Sequence, residues 1–196
     1  MIIIINNLGI KNSYYQLNMK IELEKKFIVK NNEWKKLVYK NEKYIQGYIT
    51  DFRNKHKFGV LRIRIHENSA LLCIKWQNVI EDNLKRIEFE YKIPIKDAKI
   101  ILENMCIKPI LYKTRYFVKY DNDSVWEIDV FEEENAGLII AEIELKDRNK
   151  RIIKPKWIGK EVTNNNKYLN YNLVKKPFSK WNKICQCSSI GRAVHS

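Results

Sequence analysis

From residue 20 onward the chain alternates apolar and polar side chains with a period of two, in one stretch after another. That is the pattern of a strand with two unlike faces. It predicts strands over 20–29, 44–52, 59–66, 70–77, 84–93, 112–120, 124–131 and 138–146. Polar or turn-forming breaks separate most of them: Asn31-Asn32, His66-Glu67-Asn68-Ser69, Asp121-Asn122-Asp123 and Glu134-Asn135-Ala136-Gly137. Helical spacing is sparser. A short helix is expected over 33–40 and a helix or turn over 165–175. Another helix is expected over 95–106, after Pro94, where Ile95, Ala98, Ile101, Leu102 and Met105 recur at helical spacing. No internal repeat is present. Many strands with few helices predict a mainly β (α+β) fold, an eight-stranded antiparallel β-barrel with a few peripheral helices.

The ends differ from the middle. Residues 1–18 carry no period, and Met19 opens the first patterned segment, so 1–18 reads as an extension with Met19 as the natural start. Residues 183–196 read as a disordered tail. One domain over 19–182 is expected, and a chain of 196 residues is long enough for a substantial core. A hydrophobic share of 45% and an aromatic share of 12% exclude a disordered chain.

The net charge of +14 suits an anionic partner, but a chain this rich in Lys, Asn and Ile also fits a coding bias. Charge alone therefore selects no partner. The four cysteines form no CxxC pair and there are three His, which argues against a structural zinc site. Cys73 and Cys106 sit among apolar residues and read as buried thiols of a reducing compartment. No run of about 20 apolar residues exists, so no membrane span is expected. A cytoplasmic location is expected, with a monomer or homodimer as assembly.

The polar faces of the strands are the informative feature. Glu22, Glu24 and Lys26 share one face of the first strand. Arg62 with Arg64, Lys75, and Lys113 with Arg115 stand on faces without an acid. Glu127 with Asp129, and Glu142 with Glu144, stand on faces without a base, while Arg86, Glu88 and Glu90 mix the two. Two arrangements fit: charges toward water over an apolar core, or charges inward with the apolar faces covered from outside. Sorting of sign by strand favours the second, because a solvent face mixes signs locally. So does the outward bulk of Phe89, Tyr91, Trp126 and Phe131, which 95–106 and 157–181 could cover. A lumen so charged is costly unless its charges pair and a ligand fills it. Carboxylates suit magnesium or manganese, and Arg and Lys suit phosphate oxygens.

The motifs, in order, are Glu22-x-Glu24-x-Lys26, Gln46-Gly-Tyr48, Arg62-x-Arg64, Ile74-Lys75, Arg86-Ile-Glu88-Phe-Glu90-Tyr and Lys113-Thr-Arg115-Tyr. Then follow Trp126-Glu-Ile-Asp129, Ala141-Glu142-Ile-Glu144, Trp157-Ile-Gly159-Lys-Glu161 and Tyr168-Leu-Asn170. Together, over about 19–182, they resemble the CYTH superfamily, the triphosphate tunnel metalloenzymes, and most of all its short bacterial inorganic triphosphatases. The resemblance implies an eight-stranded tunnel with the charges inward. It implies Mg2+ or Mn2+, one or two ions, on Glu22, Glu24, Asp129, Glu142 and Glu144. It implies a triphosphate on Lys26, Arg62, Arg64, Lys75, Arg86, Lys113 and Arg115, with Glu88, Glu90, Glu127 and Lys167 lining the tunnel. Lys26, Tyr48 and Lys113 are the implied catalytic residues, Lys113 accepting a proton through Tyr48.

The expected activity is hydrolysis of inorganic tripolyphosphate. A nucleoside or thiamine triphosphatase, or an adenylate cyclase, would use the same cage. A non-catalytic polyphosphate or RNA binder is the reading of another class. Eight carboxylates on the same faces argue against it, and no specific nucleic acid partner is expected.

Overall fold

The computed structural model describes residues 20–54, 57–78, 86–121, 124–145 and 152–181. The side chains of residues 20–22, 50–58, 76–78 and 86–87 are outside that description. The expectations for residues 1–18 and 183–196 fall outside it altogether.

The strands are β1 (Lys20–Glu22), β2 (Glu24–Val29), β3 (Val38–Asn54), β4 (Lys57–His66), β5 (Ser69–Asn78), β6 (Arg86–Ile93), β7 (Ile107–Lys119), β8 (Val125–Phe131), β9 (Ile139–Glu144) and β10 (Ile158–Glu161). They form one sheet, every pair antiparallel, in the order β1-β6-β5-β4-β3-β7-β8-β9-β2-β10. The fold is therefore mainly β. The expected count of eight strands is corrected to ten among the described residues. Leu23 divides the first predicted strand into β1 and β2, which pair with different neighbours. The short β10 adds a pairing on the far edge of β2. The hydrogen-bonded ladder has β1 and β10 as its ends and does not close on itself. Leu23 alone nevertheless joins the strand at one end of the order to a strand near the other.

Two α-helices, α1 (Ile95–Asn104) and α2 (Asn170–Lys175), sit where helical spacing predicted them. A 3-10 turn over Glu33–Leu37 replaces the helix expected over 33–40, because β3 begins at Val38.

The apolar faces pack into three clusters. One centres on Trp126, Phe27, Trp34 and Trp157, with Trp126 edge-on to Phe27 and to Trp157 at centroid distances of 5.6 Å. The second joins Leu111, Phe131 and Ile140 to Tyr171, Leu173 and Val174 of α2. The third seats Ala98 and Leu102 of α1 on Ile63 and Ile65. Removing this apolar area from water is the main favourable term for the fold. The segments expected to cover the outer bulk do so for Trp126. Tyr91, at 53% exposure, is not covered. Phe131 lies on the charged face rather than the outer one, because it pairs with Lys113 in register.

Candidate active site

Residues paired across antiparallel strands point to the same face. The register therefore traces one continuous inner face. Glu24 faces Glu144 and Lys26 faces Glu142. Glu142 faces Glu127. Arg115 lies between Asp129 on β8 and Glu42 on β3. Tyr44 faces Lys113, Gln46 faces Arg64, and Tyr48 faces Arg62. Lys75 lies between Val60 and Glu88, and Cys73 between Arg62 and Glu90. A cavity of about 280 Å³ opens on this face, with Leu169, Asn170 and Tyr171 as part of its wall.

Most of the residues singled out in the sequence line this cavity: Glu24, Lys26, Tyr48, Arg62, Arg64, Lys75, Glu90, Lys113, Arg115, Glu127, Glu142 and Glu144. Asp129 and Glu88 stand behind that lining, buried against the bases they hold. Glu22 and Arg86 are cross-strand partners by backbone register, and their side chains are outside the described set. Lys167 is not in the wall: its ammonium sits 3.6 Å from the centre of the Trp181 ring. Glu42, Tyr44 and Phe117 were not singled out in the sequence, whereas Gln46 stood in a quoted motif and Asn170, with Lys167 and Tyr168, in the segment that the resemblance implies closes one tunnel mouth. For Tyr44 and Gln46 a signal existed, since they share the even parity of Tyr48 on β3.

The charges are interlocked. Arg115 donates to Asp129 at 2.7 and 2.8 Å and to Glu142 at 2.6 Å, and it also bonds Glu127. Lys113 bonds Asp129 Oδ2, the oxygen that also accepts from Arg115. Lys26 bonds Glu142 and lies 3.1 Å from Glu24. Arg62 donates to Glu88 at 2.8 Å, Lys75 reaches Glu88 at 3.0 Å, and Arg64 bonds Glu90.

Electrostatics follow from this packing. Burial and the adjacent Arg115 draw the Lys113 ammonium down to about 8, against the upward pull of Asp129. Burial works to raise the Glu142 carboxyl, but Lys26, Arg115 and Lys113 overrule it and hold it well below the usual carboxylate range. Burial raises Glu127, with Arg115 opposing. Burial pushes the Tyr48 phenol up to about 12, against Arg62 and Lys26. Tyr48 packs edge-on to Tyr171 at 5.3 Å, while the ring beside the Lys113 ammonium, at 5.7 Å, is that of Tyr44. Along β3 Tyr48 lies four residues from Tyr44, roughly 13 Å at strand rise.

The donor set fits a hard divalent cation. Glu24 and Glu144 stand directly opposite one another and both line the cavity. Like charges in that position repel, and a cation between them relieves the repulsion with oxygen ligands. Among the described residues, the groups of three with ligand atoms within 4.8 Å of one another are Glu42-His66-Glu67 and Cys73-Glu88-Glu90, and neither coincides with the expected ligand set. Glu42 already holds Lys40 and the Tyr44 hydroxyl, and Glu88 and Glu90 hold Arg62, Lys75 and Arg64.

Residues 20–176 match the model of the CYTH domain. An inorganic triphosphatase of Acetivibrio thermocellus is 45% identical over 157 residues, covering 80% of this chain and 95% of that protein. An inorganic triphosphatase of Nitrosomonas europaea is 28% identical over 130 residues, covering 64% of this chain and 79% of that protein. Among solved structures, the crystal structure of an inorganic triphosphatase superposes with a TM-score of 0.54 at 24% identity, covering 80% of this chain and 95% of that one. With the model match spanning most of the sequence and the inward register of charges agreeing with it, the chain belongs to the CYTH domain family.

Proposed function

We propose that this protein is a divalent-metal-dependent triphosphatase that hydrolyses inorganic tripolyphosphate. The observation that carries the reading is a cavity lined both by the bases Arg62, Arg64, Lys75, Lys113 and Arg115 and by the carboxylates Glu24, Glu142 and Glu144. Bases alone would suit any polyanion. Bases facing opposed carboxylates suit a polyanion that arrives with metal. The names of the two curated relatives point the same way.

The sheet would wrap the substrate as a tunnel. The one-residue link at Leu23 supports this, since it ties β1, at one end of the strand order, to β2 beside β9. Arg62, Arg64, Lys75 and Arg115 would exchange their carboxylate partners for phosphate oxygens and hold the chain of phosphates in line. Glu24 and Glu144, with Glu142 and Asp129 behind them and Glu22 beside them in sequence, would hold Mg2+ or Mn2+. The ion would neutralise phosphate oxygens and acidify water. Lys26, between Glu24 and Glu142, would keep those carboxylates apart until the ion enters. Lys113 would accept the proton of the attacking water: with its ammonium near 8, about a tenth is free amine at pH 7. Tyr48, whose phenol is pushed up to about 12 and which the register places beside Arg62 rather than Lys113, would donate a hydrogen bond to the substrate rather than relay the proton.

The test is phosphate release from tripolyphosphate, ATP, GTP and thiamine triphosphate, each with magnesium, manganese or chelator, and a parallel assay for cyclic AMP. Turnover of tripolyphosphate that chelator abolishes is expected, with a loss of at least 100-fold in Glu24→Ala. Equal turnover in that variant would sink the metal assignment, and preferred turnover of a nucleotide would sink the substrate. Full activity in Lys113→Ala would end the proton route, and full activity in Tyr48→Phe the Tyr48 hydrogen bond.

A further inference from the structure

Gln46 lines this wall with a neutral polar group that its own surroundings leave unexplained. It is 1% exposed, lines the cavity, and its side-chain NH2 is buried without a hydrogen-bond partner. Buried amide donors without partners are rare, because each forfeits its bonds to water. The register shows why this one finds none. Its cross-strand neighbours are Arg64 on β4 and Leu111 on β7. Arg64 has only donors and Leu111 has no polar side-chain atom. Along β3 its same-face neighbours are Tyr44 and Tyr48. The Tyr44 hydroxyl is committed as a donor to Glu42 at 2.6 Å, and Tyr48 packs on Tyr171. One step diagonally stand Arg62 and Lys113, donors again. The acids of the face lie elsewhere, gathered around Arg115, Lys26 and the guanidinium ends of Arg62 and Arg64. The Tyr44 and Tyr48 oxygens and the diagonal His66 ring could accept, yet none of them bonds the Gln46 NH2, and an acceptor entering the cavity would satisfy it.

We propose that Gln46 is a substrate-binding residue, its NH2 donating to a non-bridging oxygen of the bound triphosphate. This rests on the triphosphatase reading above and adds to it a neutral contact among the cationic ones. Lys and Arg attract any anion at a distance, whereas a carboxamide contributes only at hydrogen-bond range and only to a well-placed oxygen. The interaction is present with bound substrate and with the reacting species alike, so its loss should fall on KM more than on kcat.

The experiment uses the full chain and two variants. Gln46→Met keeps length and volume and removes both polar atoms. Gln46→Glu keeps shape and offers a carboxylate where a donor stood. Folding is followed by thermal unfolding in chelator, and binding by the shift in Tm with inorganic tripolyphosphate, then by kinetics with magnesium. Expected for Gln46→Met are an apo Tm equal to or above wild type, a KM for tripolyphosphate raised about tenfold, and a kcat within threefold. Gln46→Glu should raise KM further. A Gln46→Met protein with wild-type KM and Tm shift overturns the contact and leaves the triphosphatase reading standing. A lowered apo Tm in Gln46→Met also overturns it, since a packing role would then explain the residue. A wild-type chain that neither binds nor turns over tripolyphosphate overturns both.

Discussion

Lys113 is buried between two demands. Its carboxylate partner Asp129 favours the ammonium, while burial and Arg115 disfavour it, and the second side prevails. Below about pH 8 it carries its charge both folded and unfolded, and the desolvation cost stands in full. Between about 8 and the ordinary value of 10.5 the folded amine is neutral while the unfolded chain still binds the proton. Stability therefore rises with pH across that window, by an upper bound of about 3 kcal/mol. Measured in chelator, the Tm of wild type minus that of Lys113→Met should climb from pH 8 to 10. A flat difference would mean that Lys113 is not depressed. The depression of Lys113 was legible in the sequence from Arg115, two residues away, together with the burial expected of an inward face; the opposing pull of Asp129 on the next strand was not. Gln46 stood in the Gln46-Gly-Tyr48 motif without a role, and Tyr44 was legible only by parity. An uncharged side chain on a charged face gives no signal until the register shows what surrounds it.

Gly47 shows the same logic for an element. It points away from the cavity, between Gln46 and Tyr48, toward α1. A Cβ there would stand 2.6 Å from the Cys106 sulfur and 2.6 Å from Leu102 Cδ2. Gly47 is thus the seat of α1, and α1 covers the outer faces of β4 and β5. Gly47→Ala should cost roughly 1–3 kcal/mol, as overpacking does, and show as a lower urea midpoint at unchanged slope. An unchanged midpoint would refute the close approach. The strands themselves were largely readable, because alternation is a local signal. The misses have local causes. Residues 38–40, expected as the end of a helix over 33–40, instead open β3, whose pairing with β7 begins at Val38. β7 begins at Ile107 rather than 112, since Pro109 argues against a strand. The ladder tolerates it because the β3–β7 register is irregular between Gln46 and Tyr48. β10 is four residues long and gains its place only from its partner β2.

At the scale of the molecule, the inner face is two half-sites locked to each other. The bases Arg62, Arg64 and Lys75 are held by Glu88 and Glu90, and the acids around Arg115 are held by it, Lys26 and Lys113. Either ligand alone must break ion pairs and leave the released partners buried without a countercharge, which is costly. Metal and triphosphate together supply both countercharges at once. Their binding should therefore be positively coupled, each raising the other's affinity by the same factor, on the order of 10 or more. The turnover-impaired Lys113→Ala variant allows the measurement. Its Tm is followed with manganese alone, with tripolyphosphate in chelator, and with both. The shift with both should exceed the sum of the separate shifts, since each ligand stabilises by RT ln(1 + [L]/Kd) with a Kd the other has lowered. Additive shifts would mean that the half-sites are independent. The apo ion pairs would then be a resting arrangement that binding does not have to break.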